Sequence, residues 1–492
     1  VTAMSPLSLE LGLGVLGLVL LLVESFAKIP RRLLAYVAIG GLLTAFFALL
    51  CCGATSVPEA LADFYAVDRL AIFYKALALL ATIATLVLSL EYAPIINQFV
   101  STHPERDTEA GLGEFFSLPL FVCVGMMVMA SAKDIITIFV ALELVTVSFY
   151  VLVAFMRRSA MSLEAGVKYL ILGALSTGLL VYGLAWLYGM TGSLTLDGVA
   201  DKVAHWEGSR LPLLFAAALV IAGLGFKVGA VPFHIWVPDV YQGAPTPVTA
   251  FLSVGSKASG FIVLSRVVEA FLAKGSVIAE PVTHLLLLLG AATVIVGNFA
   301  AISQTNFKRL LAYSSISHAG YLLLVLGCSP IGGLGMTASS IVAFYLATYL
   351  PMTFVCFLLL CVARAQGVAE DLSSLRGLAR TNPVLGVAVT IALASLAGLP
   401  LTAGFFGKFY AIFAIVLHGY YGCLLVAVLG AATGFYYYFK VILALYAKPD
   451  NDARPLELRL GLPSKVLALV FVAAIVVMGV YPDLVRSALV VR

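Results

Sequence analysis

Charge is scarce in this chain. Only 11% of its 492 residues are Asp, Glu, Lys or Arg, against about 25% in a soluble domain, while 62% are apolar and the mean hydropathy is +1.08. That balance excludes a water-soluble globular protein. The net charge of +4 is too small, and the basic residues too scattered, for a nucleic-acid surface. Metal-type spacing is missing as well. The seven cysteines (Cys51, Cys52, Cys123, Cys328, Cys356, Cys361 and Cys423) form no CxxC pair, and most sit inside apolar runs. Fe–S, zinc and disulfide frameworks need clustered, polar-flanked cysteines, so these read as small core residues and no metal or cofactor is expected in this chain. The first apolar run, Leu7 to Phe26, lacks a basic leader and a small-residue cleavage site, and is read as a retained helix.

What is present is a succession of apolar runs. About 20 such residues cross roughly 30 Å of hydrocarbon. Counting them predicts an all-α integral membrane protein with fourteen transmembrane helices: 7–27, 33–53, 70–91, 115–131, 135–156, 163–189, 212–240, 248–272, 282–302, 308–328, 334–363, 384–417, 420–446 and 464–488. Lys and Arg then set the orientation. Lys28, Arg31, Arg32, Arg106, Arg157, Arg158, Lys308, Arg309, Arg364, Arg376, Arg380, Lys448, Arg454, Arg459 and Lys465 fall on one side, 15 in all. Arg69, Lys133, Lys202, Arg210, Lys274, Arg486 and Arg492 fall on the other, 7 in all. The richer side is expected to be cytoplasmic, which puts both termini in the periplasm.

Two spans are too long for simple helices, and both carry breaks. The seventh contains Lys227-Val228-Gly229-Ala230-Val231-Pro232-Phe233-His234, and the twelfth Ala397-Gly398-Leu399-Pro400-Leu401-Thr402-Ala403-Gly404. Proline removes a backbone donor, and flanking glycines make unwinding easier. Lying five helices apart, the breaks enter from opposite sides, as in transporters built from inverted repeats. The expected organisation is three N-terminal helices in 1–91, a first five-helix repeat in 115–272 (helices 4–8), a second in 282–446 (helices 9–13), and a last helix at 464–488.

A charge at mid-membrane costs at least about 2.5–3.5 kcal/mol on insertion scales and is a functional candidate by default. Glu143 is central in the fifth span, Lys227 precedes the first break, Lys257 lies about ten residues into the eighth span, and Lys408 follows the second break. Lys168 is nearer the cytoplasmic end of the sixth span, with a side chain long enough to reach inward. Static ion pairing fails as an account, because one carboxylate cannot match four lysines. Lysines held away from water give up protons readily, so the row reads as a set of proton-holding stations. Glu143 is the tuning partner: a carboxylate about 4 Å from an ammonium contributes roughly 4 kcal/mol at an effective dielectric near 20. His234, after the first break, and His318, sharing a helix face with Ser314 and Tyr321, extend the relay. Lys75, Arg266 and Lys440 read as snorkelling side chains, and Lys308 and Arg309 as topology determinants.

Two stretches carry a resemblance. Gly225-Phe226-Lys227-Val228-Gly229-Ala230-Val231-Pro232-Phe233-His234-Ile235-Trp236-Val237-Pro238-Asp239-Val240-Tyr241, followed by Gln242-Gly243-Ala244-Pro245, and Gln304 to His318 closely resemble the antiporter-like subunits of bacterial respiratory complex I, a family shared with the large subunits of Mrp-type cation/proton antiporters. Within it the N-type subunits fit better. L-type subunits carry a long lateral helix after the fourteenth span, M-type subunits typically have a glutamate where Lys408 stands, and the stretches Gly404 to Tyr410 and Tyr436-Tyr437-Tyr438 look N-type. The resemblance implies a proton-translocating subunit of NADH:quinone oxidoreductase with Glu143, Lys168, Lys227, Lys257 and Lys408 on the proton path. It implies that NADH, FMN, Fe–S clusters and quinone are handled by other subunits. It also implies neighbours among the complex I membrane subunits, especially subunit M and the small subunits J and K. The alternative is an Mrp-type antiporter subunit without a redox driver; a purely structural scaffold would have no use for mid-membrane lysines.

Overall fold

The computed structural model describes residues 7–27, 29–52, 57, 61–100, 112–329, 335–448 and 458–490. Lys28, Arg106, Arg454 and Arg492, all used in the orientation argument, lie outside the described residues. The helices are α1 (Ser8–Phe26), α2 (Arg31–Cys52), α3 (Arg69–Val100), α4 (Leu112–Ser131), α5 (Ile135–Val153), α6 (Ala160–Thr191), α7 (Leu196–Ala204), α8 (Arg210–Val228), α9 (Trp236–Gly243) and α10 (Thr246–Phe251). A π turn, Leu252–Ser256, leads into α11 (Lys257–Phe271). Then follow α12 (Ala279–Ile302), α13 (Phe307–Gly327), α14 (Ala338–Ala365), α15 (Leu378–Thr381), α16 (Pro383–Ala397), α17 (Ala403–Leu417), α18 (Tyr421–Tyr446), α19 (Leu462–Val480) and α20 (Asp483–Leu489). Among the described residues there are only isolated bridges, such as Tyr65 with Ala132, and no sheet.

Among the described residues thirteen helices are long and apolar enough to cross a membrane, α10 to α11 counting as one. The α16–α17 pair supplies the fourteenth span. Helix is what a bilayer demands, because hydrocarbon offers no partner to an unpaired peptide group. Successive spans alternate in direction. The starts of α1, α3 and α5 therefore share one face of the bundle, here face I, and the starts of α2, α4 and α6 share face II. Cross-links agree: Arg69 donates to the Val490 carbonyl at face I, and the Arg158 amide to the Phe99 carbonyl at face II.

Several boundaries differ from expectation for local reasons. The last span ends at Val480, because Pro482 forces Tyr481 out of helix and α20 restarts the chain. The α3 helix runs on to Val100 through Pro94. The α7 helix was not anticipated. Nine residues cannot span, but Thr195 caps its first turn, and Leu196, Val199 and Val203 are buried at helical spacing.

Burial is concentric. The membrane window of α10–α11 is 100% buried and those of α13 and α14 are 94%, whereas α1 and α18 reach 22% and 28%. A central rod of three helices is thus shielded from lipid, and Lys257 and His318 both sit on it. Helix α12 packs on α13 through small residues. A Cβ on Gly297 would come within 2.5 Å of the Ser317 amide nitrogen, so only glycine permits this approach.

Both overlong spans break as expected, and in the same way. Helix α8 ends on Gly229 at φ 76 and α16 on Gly398 at φ 95, left-handed caps that favour glycine. Pro232 and Pro400 follow, and both are exposed. The freed backbone groups find partners. The Trp236 indole donates to the Phe226 carbonyl at 3.0 Å, the Val231 amide to Thr293 Oγ1 at 2.9 Å, and the Gly404 amide to Ser395 Oγ at 3.0 Å.

Candidate proton path

The first half of the site joins α5, α6 and α8. Glu143 is half-buried, next to the outward stripe of Ile136, Val140 and Val147, and its Oε1 accepts from Thr177 of α6 at 2.8 Å. Lys227, in the last turn of α8 before the break, is 7% exposed and donates to Thr146, one turn beyond Glu143 on α5. Thr146 in turn donates to the Leu142 carbonyl at 2.6 Å. Among the described residues no direct ion pair joins Glu143 to Lys227, whose threonine partners differ.

The second half lies on the central rod. Lys257 opens α11 directly after the π turn, an irregularity that recurs at functional sites. It is 3% exposed, and its ammonium donates to the Ser315 carbonyl at 2.6 Å and to the Ser315 hydroxyl. Tyr241 of α9 shares that hydroxyl at 3.2 Å. One residue back, Ser314 bonds to Tyr438 of α18, whose hydroxyl also lies 3.0 Å from His318 Nε2. His318 Nδ1 lies 2.6 Å from the Tyr345 hydroxyl, and Tyr349 packs against the ring at 4.9 Å. Tyr437 and Ser317 both bind Asn298, at 3.2 and 2.7 Å.

Lys408 closes the row. The turn between α16 and α17 folds α17 back so that its ammonium donates to the Ala397 carbonyl at 2.9 Å, at the C-terminal end of the α16 half-helix. A helix C-terminus carries partial negative charge and suits a cation. The Tyr321 ring centroid lies 6.0 Å away. Lys227, Lys257 and Lys408 therefore share one property: none makes an ion pair among the described residues, and each is held by neutral oxygens.

The structure places other residues differently from the sequence reading. Lys168 does not reach inward to Glu143. It pairs with Glu164 and Asp239, both at 2.7 Å, at face II with its side chain 42% exposed. Asp239 also takes Arg309 at 2.9 Å, so it bridges α6 to α13. His234 sits in the first break, half-buried, with a buried Nδ1 that has no partner among the described residues and no bond to the row. Tyr321, expected to line up with Ser314 and His318, instead donates to the Ala427 carbonyl at 2.8 Å. Lys308, read as a topology determinant, is buried and donates to the Ala244 carbonyl at 2.8 Å. Lys75 does not snorkel either. It pairs with buried Glu10 at 2.7 Å beneath Tyr65. Arg266 is likewise engaged with Asp68 at 3.0 Å. Sequence reasoning missed Thr146, Thr177, Tyr241, Ser315, Tyr345 and Tyr438 as members. Only the run of tyrosines at 436–438 and of serines at 314–317 hinted at them.

Two broken helices around uncompensated mid-membrane lysines define a polytopic transport protein of the proton-antiporter type. The family model described as NADH:quinone oxidoreductase/Mrp antiporter, TM, matches residues 132–434, which includes all seven candidate residues from Glu143 to Lys408. The chain is 40% identical over 446 residues to NADH-quinone oxidoreductase subunit N of Trichlorobacter lovleyi, covering 90% of this chain and 87% of that one. It is 38% identical over 485 residues to the subunit N of Rhodospirillum rubrum, covering 98% and 95%. This chain belongs to the NADH-quinone oxidoreductase subunit N family. Its fold matches a chain of respiratory complex I from Thermus thermophilus with bound aureothin at TM-score 0.79 and 34% identity, over 97% of this chain and 98% of that one. A chain of the Mrp complex from Dietzia sp. matches at TM-score 0.82 but only 20% identity, a likeness of fold.

Proposed function

We propose that protons cross this subunit along the buried row Glu143, Lys227, Lys257, His318 and Lys408, with Lys168 and His234 flanking it. The chain is a proton-translocating membrane subunit of NADH:quinone oxidoreductase and works beside other subunits of that complex. The observation that carries the proton path is the set of three buried lysines held only by neutral oxygens. An ammonium kept at mid-membrane without a counter-ion is stabilised little in its charged form, so modest movements of nearby charge decide whether it keeps its proton.

Glu143 is the movable charge. Thr177 holds it beside Lys227, and a shift that brought it within about 4 Å would favour a charged Lys227 by roughly 4 kcal/mol at an effective dielectric near 20. Withdrawal would release the proton toward Lys257. From Lys257 the hydroxyls of Ser315, Ser314 and Tyr438 lead to His318, and Lys408 is the exit station. The matching breaks, Gly229 to Pro232 and Gly398 to Pro400, support two inverted repeats in 115–272 and 282–446, each contributing a half-channel. The charge asymmetry supports entry from a cytoplasmic face II and release at a periplasmic face I of the bacterial inner membrane. Flavin, Fe–S clusters and quinone belong to other subunits in this reading, and quinone reduction there drives the cycle. Subunits M, J and K are the proposed membrane neighbours.

The deciding experiment replaces Lys257 with Met, which keeps the side-chain volume and removes the titratable group. Proton uptake driven by NADH oxidation in inverted vesicles, normalised to assembled complex, is expected to collapse. Native uptake by Lys257→Met would end the proton-path reading.

A further inference from the structure

At face II, directly above Lys257, lies a second charged site. Lys308 stands in the first turn of α13, buried at 2% exposure, and donates to the Ala244 carbonyl at 2.8 Å and to the Gln242 carbonyl and Glu370 Oε1, both at 3.4 Å. Glu370 sits on the surface segment after α14, between exposed Ala369 and Asp371, with 14% of its side chain exposed. Backbone bonds fix it there. The Phe307 amide donates to the Glu370 carbonyl at 2.9 Å, the Leu372 amide to the Thr305 carbonyl at 2.9 Å, and Asn306 bridges to Asp371. The same carboxylate oxygen accepts from Thr246 at the start of α10, the helix that leads to Lys257.

The path inward is laid out by helix geometry. Lys308 and Ser315 are seven residues apart and share one face of α13, about 10 Å along its axis. Ser315 is the residue that holds Lys257. Tyr241 connects from the other side: its hydroxyl meets Ser315, and the carbonyls just after it on α9 hold Lys308. Helix α14 runs antiparallel alongside, with Tyr345 at the level of His318 and Cys361 at the level of Lys308. Thr353 lies midway between them, 2% exposed, with Tyr349 as its polar neighbour and no close hydrogen bond on its hydroxyl among the described residues. A buried hydroxyl in that position calls for water.

We infer that Glu370 and Lys308 form a second proton-loading mouth of the row, feeding Lys257 through Thr353, Tyr241 and Ser315 from face II. This rests on the proton-path reading above and adds an entrance beside the one through Glu143 and Lys227. Glu370 takes a proton from the aqueous phase and passes it to the Lys308 amine whenever that amine is neutral. Lys308 then gives it to the hydroxyl chain, and the net movement is one proton with no bond to carbon altered. The charged or titratable groups facing Glu370 are Lys308 on α13, Tyr92 and Glu91 on α3, Cys361 and Arg364 on α14, and neighbouring Asp371. Among them Lys308 alone stands on α13, the helix that carries Ser315.

The alternative is a latch that only pins α9 and the 366–377 segment. Two substitutions separate these in the assembled complex, in inverted vesicles with face II outward. Glu370→Gln keeps size and hydrogen bonding but cannot collect protons. Its uptake is expected to stay near native at pH 6.5, where protons are plentiful, and to fall about fivefold at pH 8. A broken latch would lose activity equally at both. Thr353→Val removes a buried hydroxyl that makes no close hydrogen bond, a loss a purely structural site would tolerate. The route requires uptake to fall roughly threefold instead. Native uptake by Thr353→Val, or by Glu370→Gln at pH 8, would overturn the inference, and Thr353→Val decides alone if Glu370→Gln does not assemble. Lys257→Met is run beside them. If Lys257→Met is defective and these two are native, the mouth fails and the row stands; if Lys257→Met is native, the row itself fails.

Discussion

Lys408 offers the sharpest separation between fixed charge and titratable charge. Its ammonium caps the α16 half-helix at the Ala397 carbonyl, 2.9 Å away, and its chain lies against Gly398, where a Cβ would stand 3.1 Å from the lysine Cδ. Lys408→Met should fit this slot and remove a charge that costs about 3 kcal/mol at mid-membrane, so assembly should survive. Proton movement should not. Without a group to hold it, a proton must meet that same cost unassisted, which at 1.36 kcal/mol per decade slows transfer roughly 100-fold. Lys408→Arg keeps the charge but never releases it, so it should fail as completely as Met. Lys408→Glu restores a titratable group and should retain part of the uptake. Against a potential near 200 mV each proton requires about 4.6 kcal/mol, so partial uptake is measurable only under a defined, clamped potential. The assay is NADH-driven proton uptake in inverted vesicles, with assembled subunit quantified first. Native uptake by the arginine variant would show that a permanent charge suffices, and the station argument would be refuted.

Glu143→Gln should impair uptake more than Glu143→Asp, since only Asp keeps an ionisable group near Lys227; equal, native uptake by both would make Glu143 structural. Gly404→Ala should reduce the amount of assembled subunit, because a Cβ there would lie 1.9 Å from the Ser395 carbonyl oxygen, and overpacking costs about 1–3 kcal/mol or more. Gly422→Ala, with nothing within 4 Å, is its control, and equal assembly of the two on native gels would contradict the packing account. Cysteine at Arg376 should react with an impermeant thiol reagent only from the cytoplasm and cysteine at Asp201 only from the periplasm. The opposite pattern would invert the topology.

The breaks illustrate how a local signal becomes a site. Gly229 and Gly398 end their helices with positive φ, and the chain beyond each re-enters the bundle. What differs is what each lysine then meets. Lys227 precedes its break and turns to a threonine on α5, whereas Lys408 follows its break and turns back on the carbonyl the break has freed. The first lysine thereby stays near the one half-buried carboxylate of the row, while the second depends on backbone alone.

The spans, the two breaks and the isolated lysines were legible in the sequence because each is a local property. A run of apolar residues must be helical in hydrocarbon, a Gly–Pro pair must interrupt it, and a charge within it is costly wherever the neighbours lie. Partnership is not local. Glu10 meets Lys75 across 65 residues, Lys308 meets Glu370 across 62, and Asp239 joins Lys168 to Arg309 over about 70 in each direction. An apolar helix with charge at one position does not reveal which of its faces meets which neighbour, since nearly every residue on it is hydrophobic. Lys168 shows the consequence: its flexible stem suits an inward or an outward pose equally, and the position of Asp239 in the first turn of α9 decides for the outward one. Lys75 shows the converse, a lysine near a helix end whose length would let it snorkel, drawn inward because α1 delivers a buried carboxylate to its side. Sequence alone determined that this is a membrane bundle with two broken helices and charges at its centre. Only the packing of one helix on another decided which of those charges are paired and which are held by neutral oxygens alone.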